Sequence, residues 1–177
     1  SNHKFQTKPY NLISSKSSFE LRKLFVDKYG NILIGTDGNR CFSIKNVSHS
    51  QINHYAFNIN NIKSKTLYPY KLYSPDAEDS RGNIWVHDYN HFSCLNISTH
   101  SFENYNRPYP SLADKSDQFI GLVVDRKDYV LLRDRNHGIL EFDPLTKKHV
   151  LYGLKEGLPH LTMYHMAFDS TRQVIWI

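Results

Sequence analysis

FVDKYGNILIGT (Phe25 to Thr36) recurs as AEDSRGNIWVHD (Ala77 to Asp88) and again as VVDRKDYVLLRD (Val123 to Asp134), and a fourth copy, FDSTRQVIWI, opens at Phe168. Anchored on Asp27, Asp79, Asp125 and Asp169, the copies follow one another at 52, 46 and 44 residues. A period of about 40 to 50 residues belongs to arrays of small repeated units, propellers or solenoids, in which each unit buries its apolar face on the next.

The first copy shows the internal grammar. An apolar strand, Leu24 to Val26, runs into Asp27. Asp27 to Asn31 then make a tight turn, where aspartate accepts from the backbone two residues on and Gly30 takes a positive φ at no steric cost. Ile32 to Thr36 form a second strand, Asp37 to Asn39 a second turn, Cys41 to Ile44 a third strand and Ile52 to Phe57 a fourth. The second copy runs Tyr73 to Glu78, Ile84 to Asp88, Phe92 to Ile97 and Phe102 to Tyr105; the third runs Phe119 to Val124, Val130 to Asp134, Ile139 to Phe142 and His149 to Tyr152. No window of a dozen residues carries helical apolar spacing between caps.

Four antiparallel strands per unit is the arithmetic of a propeller blade. The reading is therefore all-β, a partial β-propeller in a single domain over 1–177. It holds three complete four-stranded antiparallel blades at about 19–58, 67–106 and 117–153, with partial blades at 1–13 and 160–177. His3 to Tyr10 resemble the fourth strand around Phe102, and Met163 to Ile177 supply two strands of a further unit. The remaining blades of the same propeller are expected outside this sequence, and an open arc with bare blade faces is expected to form a homo-oligomer.

Composition narrows the function classes. With 40% hydrophobic and 22% charged residues the chain folds, and two cysteines among 177 residues are too few for a disulfide scaffold. No stretch approaches the roughly 20 apolar residues of a membrane helix, so any membrane attachment would come through a parent protein. The net charge of +5 is scattered over Lys4, Lys8, Lys16, Arg22, Lys23 and Lys28 rather than gathered into a stripe, which argues against nucleic acid.

Segments such as EDSRGNIWVHDYNHFSCLNI and EGLPHLTMYHMAFDSTRQVIWI resemble the two-component regulator propeller repeat. The most specific match is Gly157-Leu158-Pro159 followed by Ala167-Phe168-Asp169 and Ile175-Trp176. The repeat's Asp, Gly, Trp and Gly-Thr positions fall on Asp27, Gly30, Leu33 and Gly35-Thr36, then on Asp79, Gly82, Trp85 and His87-Asp88. Departures are Leu33 and Leu132 for Trp, Asp128 for the turn glycine, and Arg133-Asp134 for Gly-Thr. The resemblance implies the periplasmic sensor region of a Bacteroides-type hybrid two-component system histidine kinase, an inner-membrane protein that responds to carbohydrates.

The chemistry-bearing residues favour binding over catalysis. Asp27, Asp79, Asp125 and Asp169 occupy equivalent turns, whereas glycoside hydrolysis needs two carboxyls about 5 to 9.5 Å apart. His87 and His91 stand at i and i+4, a spacing that converges on a helix face, but here a strand and its turn intervene; neither they nor His160 and His165 have a cysteine nearby to complete a metal site. Cys41 and Cys94 sit in third strands of successive blades, too far apart for a disulfide. The sequons at Asn46 and Asn96 read as turn chemistry. No catalytic residue, metal or cofactor is expected. The candidate ligand residues lie on turns between second and third strands: Asp37, Asn39 and Arg40; Tyr89, Asn90 and His91; Arg135, Asn136 and His137. Their aromatics and directional donors suit an oligosaccharide or monosaccharide. The expected function is a non-catalytic sensor module that binds a glycan-derived ligand or mediates dimerisation; the alternatives are a scaffold for protein partners and, by fold analogy, a propeller lyase or hydrolase.

Overall fold

The computed structural model describes residues 21–36, 40–45, 51–56, 74–99, 101–109 and 118–177, with side chains described at 23–35 and, within those segments, from 75 onward. The expected partial blade at 1–13 lies outside them. Sheet I comprises β1 (Leu21–Val26), β2 (Ile32–Thr36), β3 (Arg40–Lys45) and β4 (Gln51–Ala56). Sheet II comprises β5 (Ser74–Glu78), β6 (Ile84–His87), β7 (His91–Asn96) and β8 (Ser101–Asn106). Sheet III comprises β9 (Phe119–Val124), β10 (Val130–Asp134), β11 (Gly138–Phe142) and β12 (His149–Tyr152). A hairpin of β13 (Ala167–Asp169) and β14 (Val174–Trp176) follows. In each sheet the strands stand in chain order with every neighbouring pair antiparallel, so each is a simple meander.

The repeated aspartate builds the first turn of each unit. Asp27 Oδ1 accepts from the N–H groups of Tyr29 (2.9 Å) and Asn31 (2.8 Å), and Asp79 Oδ1 repeats this with Arg81 (3.0 Å) and Asn83 (2.9 Å). Asp125 does the same with Lys127 and Tyr129 at 2.8 and 2.9 Å. The carboxylate satisfies N–H groups that the reversal leaves outside the ladder. Gly30 and Gly82 take the left-handed position at φ 78° and 85°.

The sheets stack face to face, and apolar side chains fill the spaces between them. Leu33 of sheet I meets Ile84, Val86 and Leu95 of sheet II, backed by Phe25, Ile97 and Phe102. The opposite face of sheet II sends Trp85 and Phe92 against Phe119, Leu122, Val130, Leu132, Leu140 and Phe142 of sheet III. Sheet III then turns Leu131 and Ile139 toward Met163, with Leu158, Met166 and Ile175 beside them. A strand covered on both faces loses the apolar-polar alternation of a half-exposed one, which is why IWV in β6 and VLL in β10 are apolar without a break. The first strands lie beside one another, β1 against β5, β5 against β9 and β9 against β13, so they line one side of the stack.

Three details depart from the sequence reading. β1 starts at Leu21 rather than Leu24. Each first strand carries a bulge, at Arg22, Asp76 and Ile120, skipped in the pairing with the second strand. Bulges re-aim side chains, and none of these follows from composition. A 3₁₀ turn, Leu154–Glu156, precedes Gly157 at φ 101°, which lets Leu158 fold back against sheet III.

Asp128 holds the left-handed turn position, φ 65°, that glycine holds in the first two copies. Its carboxylate reaches across to sheet II, accepting from the Ser80 N–H (2.7 Å) and hydroxyl (2.6 Å). Ser80 in turn offers its carbonyl to Lys28 Nζ of sheet I at 2.8 Å. Equivalent turns of three sheets are thus tied in a row. Asp128→Ala should lower unfolding free energy by about 1 to 2 kcal/mol, from the lost bonds and a less tolerant φ. Asp128→Gly should lose less, because glycine accepts that φ. Urea unfolding decides: a glycine variant weaker than the alanine one would rule out backbone strain as a contributor.

Candidate functional site

The two described turns between second and third strands lie at one end of the stack, and a buried aspartate organises each. Asp88 Oδ1 accepts from the N–H groups of Asn90 (2.7 Å) and His91 (2.6 Å) and faces His91 Nδ1 at 3.1 Å. Asp134 Oδ1 repeats the pattern with Asn136 (3.0 Å), the His137 N–H (3.3 Å) and His137 Nδ1 (3.1 Å). The signal is legible in hindsight as an Asp-x-Asn-His tetrapeptide at 88–91 and 134–137. Burial opposes ionisation of Asp88, yet the hydrogen bond and charge of His91 and the two N–H donors prevail and hold its carboxyl below the usual range.

These aspartates decide where the candidate ligand residues point. His91 is buried against Asp88, and His137 turns inward on Asp134 with its side chain 20% exposed. Tyr89, Asn90 and Asn136 are half-buried, and Arg135 is exposed. The Tyr89 carbonyl accepts from the Phe119 N–H (2.8 Å) and from Arg107 (3.2 Å), which ties this turn to the start of sheet III. Asp37 and Asn39 lie outside the described residues, as does the side chain of Arg40, whose backbone opens β3.

Two ionic clusters at this end escaped the sequence reading. Asp134, fully buried, accepts from the Tyr109 hydroxyl at 2.9 Å and pairs with Arg107 at 3.1 Å. The Arg107 guanidinium lies 4.9 Å over the Phe119 ring, so the connection from sheet II to sheet III is clamped by charge and π contact together. Asp76, bulged out of β5, meets both His87 of its own sheet and Lys23 of sheet I. The rings of His87 and His91 therefore serve different carboxylates.

Cavities open elsewhere, between the outer strands of sheets II and III. One of about 240 Å³ is lined by Arg81, Asn83, Trp85, Cys94, Glu103, Tyr105 and Lys147. A second, of about 370 Å³, is bounded by Phe92, Tyr105, Phe142 and His149. Lys147 donates to Glu103 (2.7 Å) and to the Tyr105 hydroxyl (2.6 Å), closing the groove between them. That bond and the lysine charge prevail over desolvation and hold the Glu103 carboxyl below its usual range.

Cys94 is half-buried in this groove and is a free thiol. Burial, followed by the charge of Asp79, pushes it up to about 12. Because the thiolate is the nucleophile, iodoacetamide at pH 8 should modify native Cys94 at least tenfold more slowly than the urea-unfolded chain, read in a Cys41→Ser background. Equal rates would mean the groove leaves the thiol solvated.

No family model matches the sequence, and no curated protein matches it. Solved structures do. The chain aligns with the extracellular domain assigned to the hybrid two component system BT4673 of B. thetaiotaomicron at TM-score 0.61 and 13% identity, over 88% of this chain and 19% of that one. A second structure of a BT4673 extracellular domain, described as a one component system, gives TM-score 0.63 and 14% identity over 88% and 20%. The extracellular domain of the hybrid system BT3049 from the same organism gives 0.59 and 20% over 85% and 19%. This chain spans about a fifth of the length of each. At these identities the likeness establishes a shared fold.

Proposed function

We propose that this chain is part of the periplasmic sensor region of a hybrid two-component system histidine kinase, where its sheets are blades of a β-propeller that recognises a glycan-derived ligand without catalysis. The observation that carries the reading is the stack of near-equal meander sheets aligned over 85–88% of the chain with extracellular domains of such systems. The remaining blades come from the same protein. The Asp27, Asp79 and Asp125 carboxylates are each spent on their own turn, which supports binding rather than hydrolysis.

The ligand face is the end bearing Tyr89, Asn90, Arg135 and Asn136. His91 and His137 serve it from beneath by holding the turns in shape. Leu24 and Val26 on one outer face of the stack and Val174 and Trp176 on the other are exposed; the remaining blades would cover these faces, and in this chain alone they would drive self-association.

Thermal unfolding with a panel of neutral and acidic oligosaccharides, run beside sedimentation, tests the reading. At a ligand concentration of about 100 times Kd the expected stabilisation is about 2.7 kcal/mol, lost in Arg135→Ala/Asn136→Ala, with self-association seen in sedimentation. Stabilisation by a protein partner and by no saccharide would replace the sensor by a scaffold.

A further inference from the structure

Arg133 sits on β10, 8% exposed, in the space between sheet III and the β13–β14 hairpin. Its terminal nitrogens donate to two backbone carbonyls, Met163 at 2.6 Å and Ile120 at 2.6 Å. Its buried Nε has no hydrogen-bond partner. Among the described residues no carboxylate pairs with it, whereas Arg107 has Asp134 at 3.1 Å. Desolvation alone acts on Arg133, lowering its proton affinity. A guanidinium out of water without an anion is costly, and carbonyl acceptors neutralise none of its charge.

The neighbouring sheet shows what the position accommodates. His87 aligns with Arg133 in the repeat, and it meets a carboxylate, that of Asp76, the residue bulged out of the adjoining first strand. In sheet III the bulged residue is Ile120, which offers its carbonyl only. Gly121 on the same strand borders the guanidinium, and a Cβ there would lie 3.4 Å from Nη2, so residue 121 itself puts no side chain against that edge. With both terminal nitrogens bonded to carbonyls, Nε–H is left to donate, on the edge of the guanidinium that carboxylates accept. The segment above it, 158–166, carries no strand pairing and ranges from buried Met163 to Tyr164 at 82% exposure.

We infer that Arg133 is the receptor for the carboxylate of a soluble ligand and that this ligand is an acidic saccharide, a uronate. The inference rests on the sensor reading for the saccharide, and on the guanidinium alone for the carboxylate.

The arginine Nε–H region of a ¹⁵N–¹H spectrum of this chain reads the site directly, with Arg133→Lys identifying the signal. Galacturonate should move the Arg133 Nε–H resonance saturably, galactose should leave it in place, and acetate should move it only at far higher concentration. Acetate as effective as galacturonate would keep a carboxylate site but overturn the saccharide assignment. A resonance that no carboxylate moves overturns the inference outright and makes Arg133 a strut between carbonyls. If neutral oligosaccharides still stabilise the protein in that case, the sensor reading stands without it. Arg133→Gln, which keeps two donors and removes the charge, should abolish galacturonate binding; retained binding by a folded variant would also overturn it.

Discussion

Trp85→Ala is expected to cost about 3 to 5 kcal/mol of unfolding free energy, the range for emptying a large aromatic site in a packed core. Trp85 is fully buried between sheets II and III, stacked on Tyr105 at 5.7 Å and edge-on to Phe142 at 6.5 Å. Its indole N–H also points to Asp79 Oδ2 at 3.4 Å, linking the core to the first turn of the sheet. Alanine would leave a void bordered by Phe92, Tyr105 and Phe142, whose rings already contact one another and cannot all close on the gap. Trp85→Phe should recover more than half the loss by restoring ring volume without the N–H. Guanidinium unfolding monitored by circular dichroism is the measurement. A loss below about 1 kcal/mol for the alanine variant would mean that the sheets do not depend on each other for burial, contrary to the stacked architecture.

Asp134→Ala should be comparably severe, about 3 to 5 kcal/mol, because it strips the counter-charge from a buried guanidinium rather than removing a whole pair. Arg107, with its side chain 5% exposed, would keep its place over Phe119 and lose its ion pair, while Tyr109 and the 134–137 turn lose an acceptor. Arg107→Met should be milder, since His137 and the backbone N–H groups still serve the carboxylate and the apolar stem is replaced. Asp143→Ala is the control. It removes a carboxylate with the same turn geometry, bonded to Leu145 and Thr146, but a half-buried one at the surface, and it should be the mildest of the three. If Asp134→Ala proves no worse than Asp143→Ala, the clamp between sheets II and III contributes little.

The two substitutions probe parts of the molecule that differ in how far the sequence exposes them. Trp85 was visible at once, as the aromatic in the second strand of a recurring unit flanked by apolar neighbours. Asp134 was visible only as the end of a strand. Its role depends on Arg107 and Tyr109, which lie 27 and 25 residues away in chain order and arrive through a connection whose path no local pattern specifies. The candidate ligand residues illustrate the same limit. Type and spacing placed Tyr89 to His91 and Arg135 to His137 on turns, but whether a turn histidine faces water or a buried carboxylate was decided by Asp88 and Asp134 drawing the rings inward. Asp76 and Ile120 could not be told apart as bulge residues, because a bulge arises from the register of two strands and not from the residue that protrudes.

By itself the sequence determined the repeating unit. Aspartate at the end of a first strand, a left-handed residue three positions on and an unbroken apolar second strand are local requirements of a tight reversal and of a strand covered on both faces, so they recur wherever the unit does. Only the tertiary structure decided which polar side chains are consumed where sheets meet. Lys28 with Ser80, Ser80 with Asp128 and Arg107 with Asp134 are bonds across sheets, and the approach of their partners is set by the angle and offset at which apolar faces pack. The same packing buried Arg133 with its Nε unbonded and no carboxylate paired with it among the described residues.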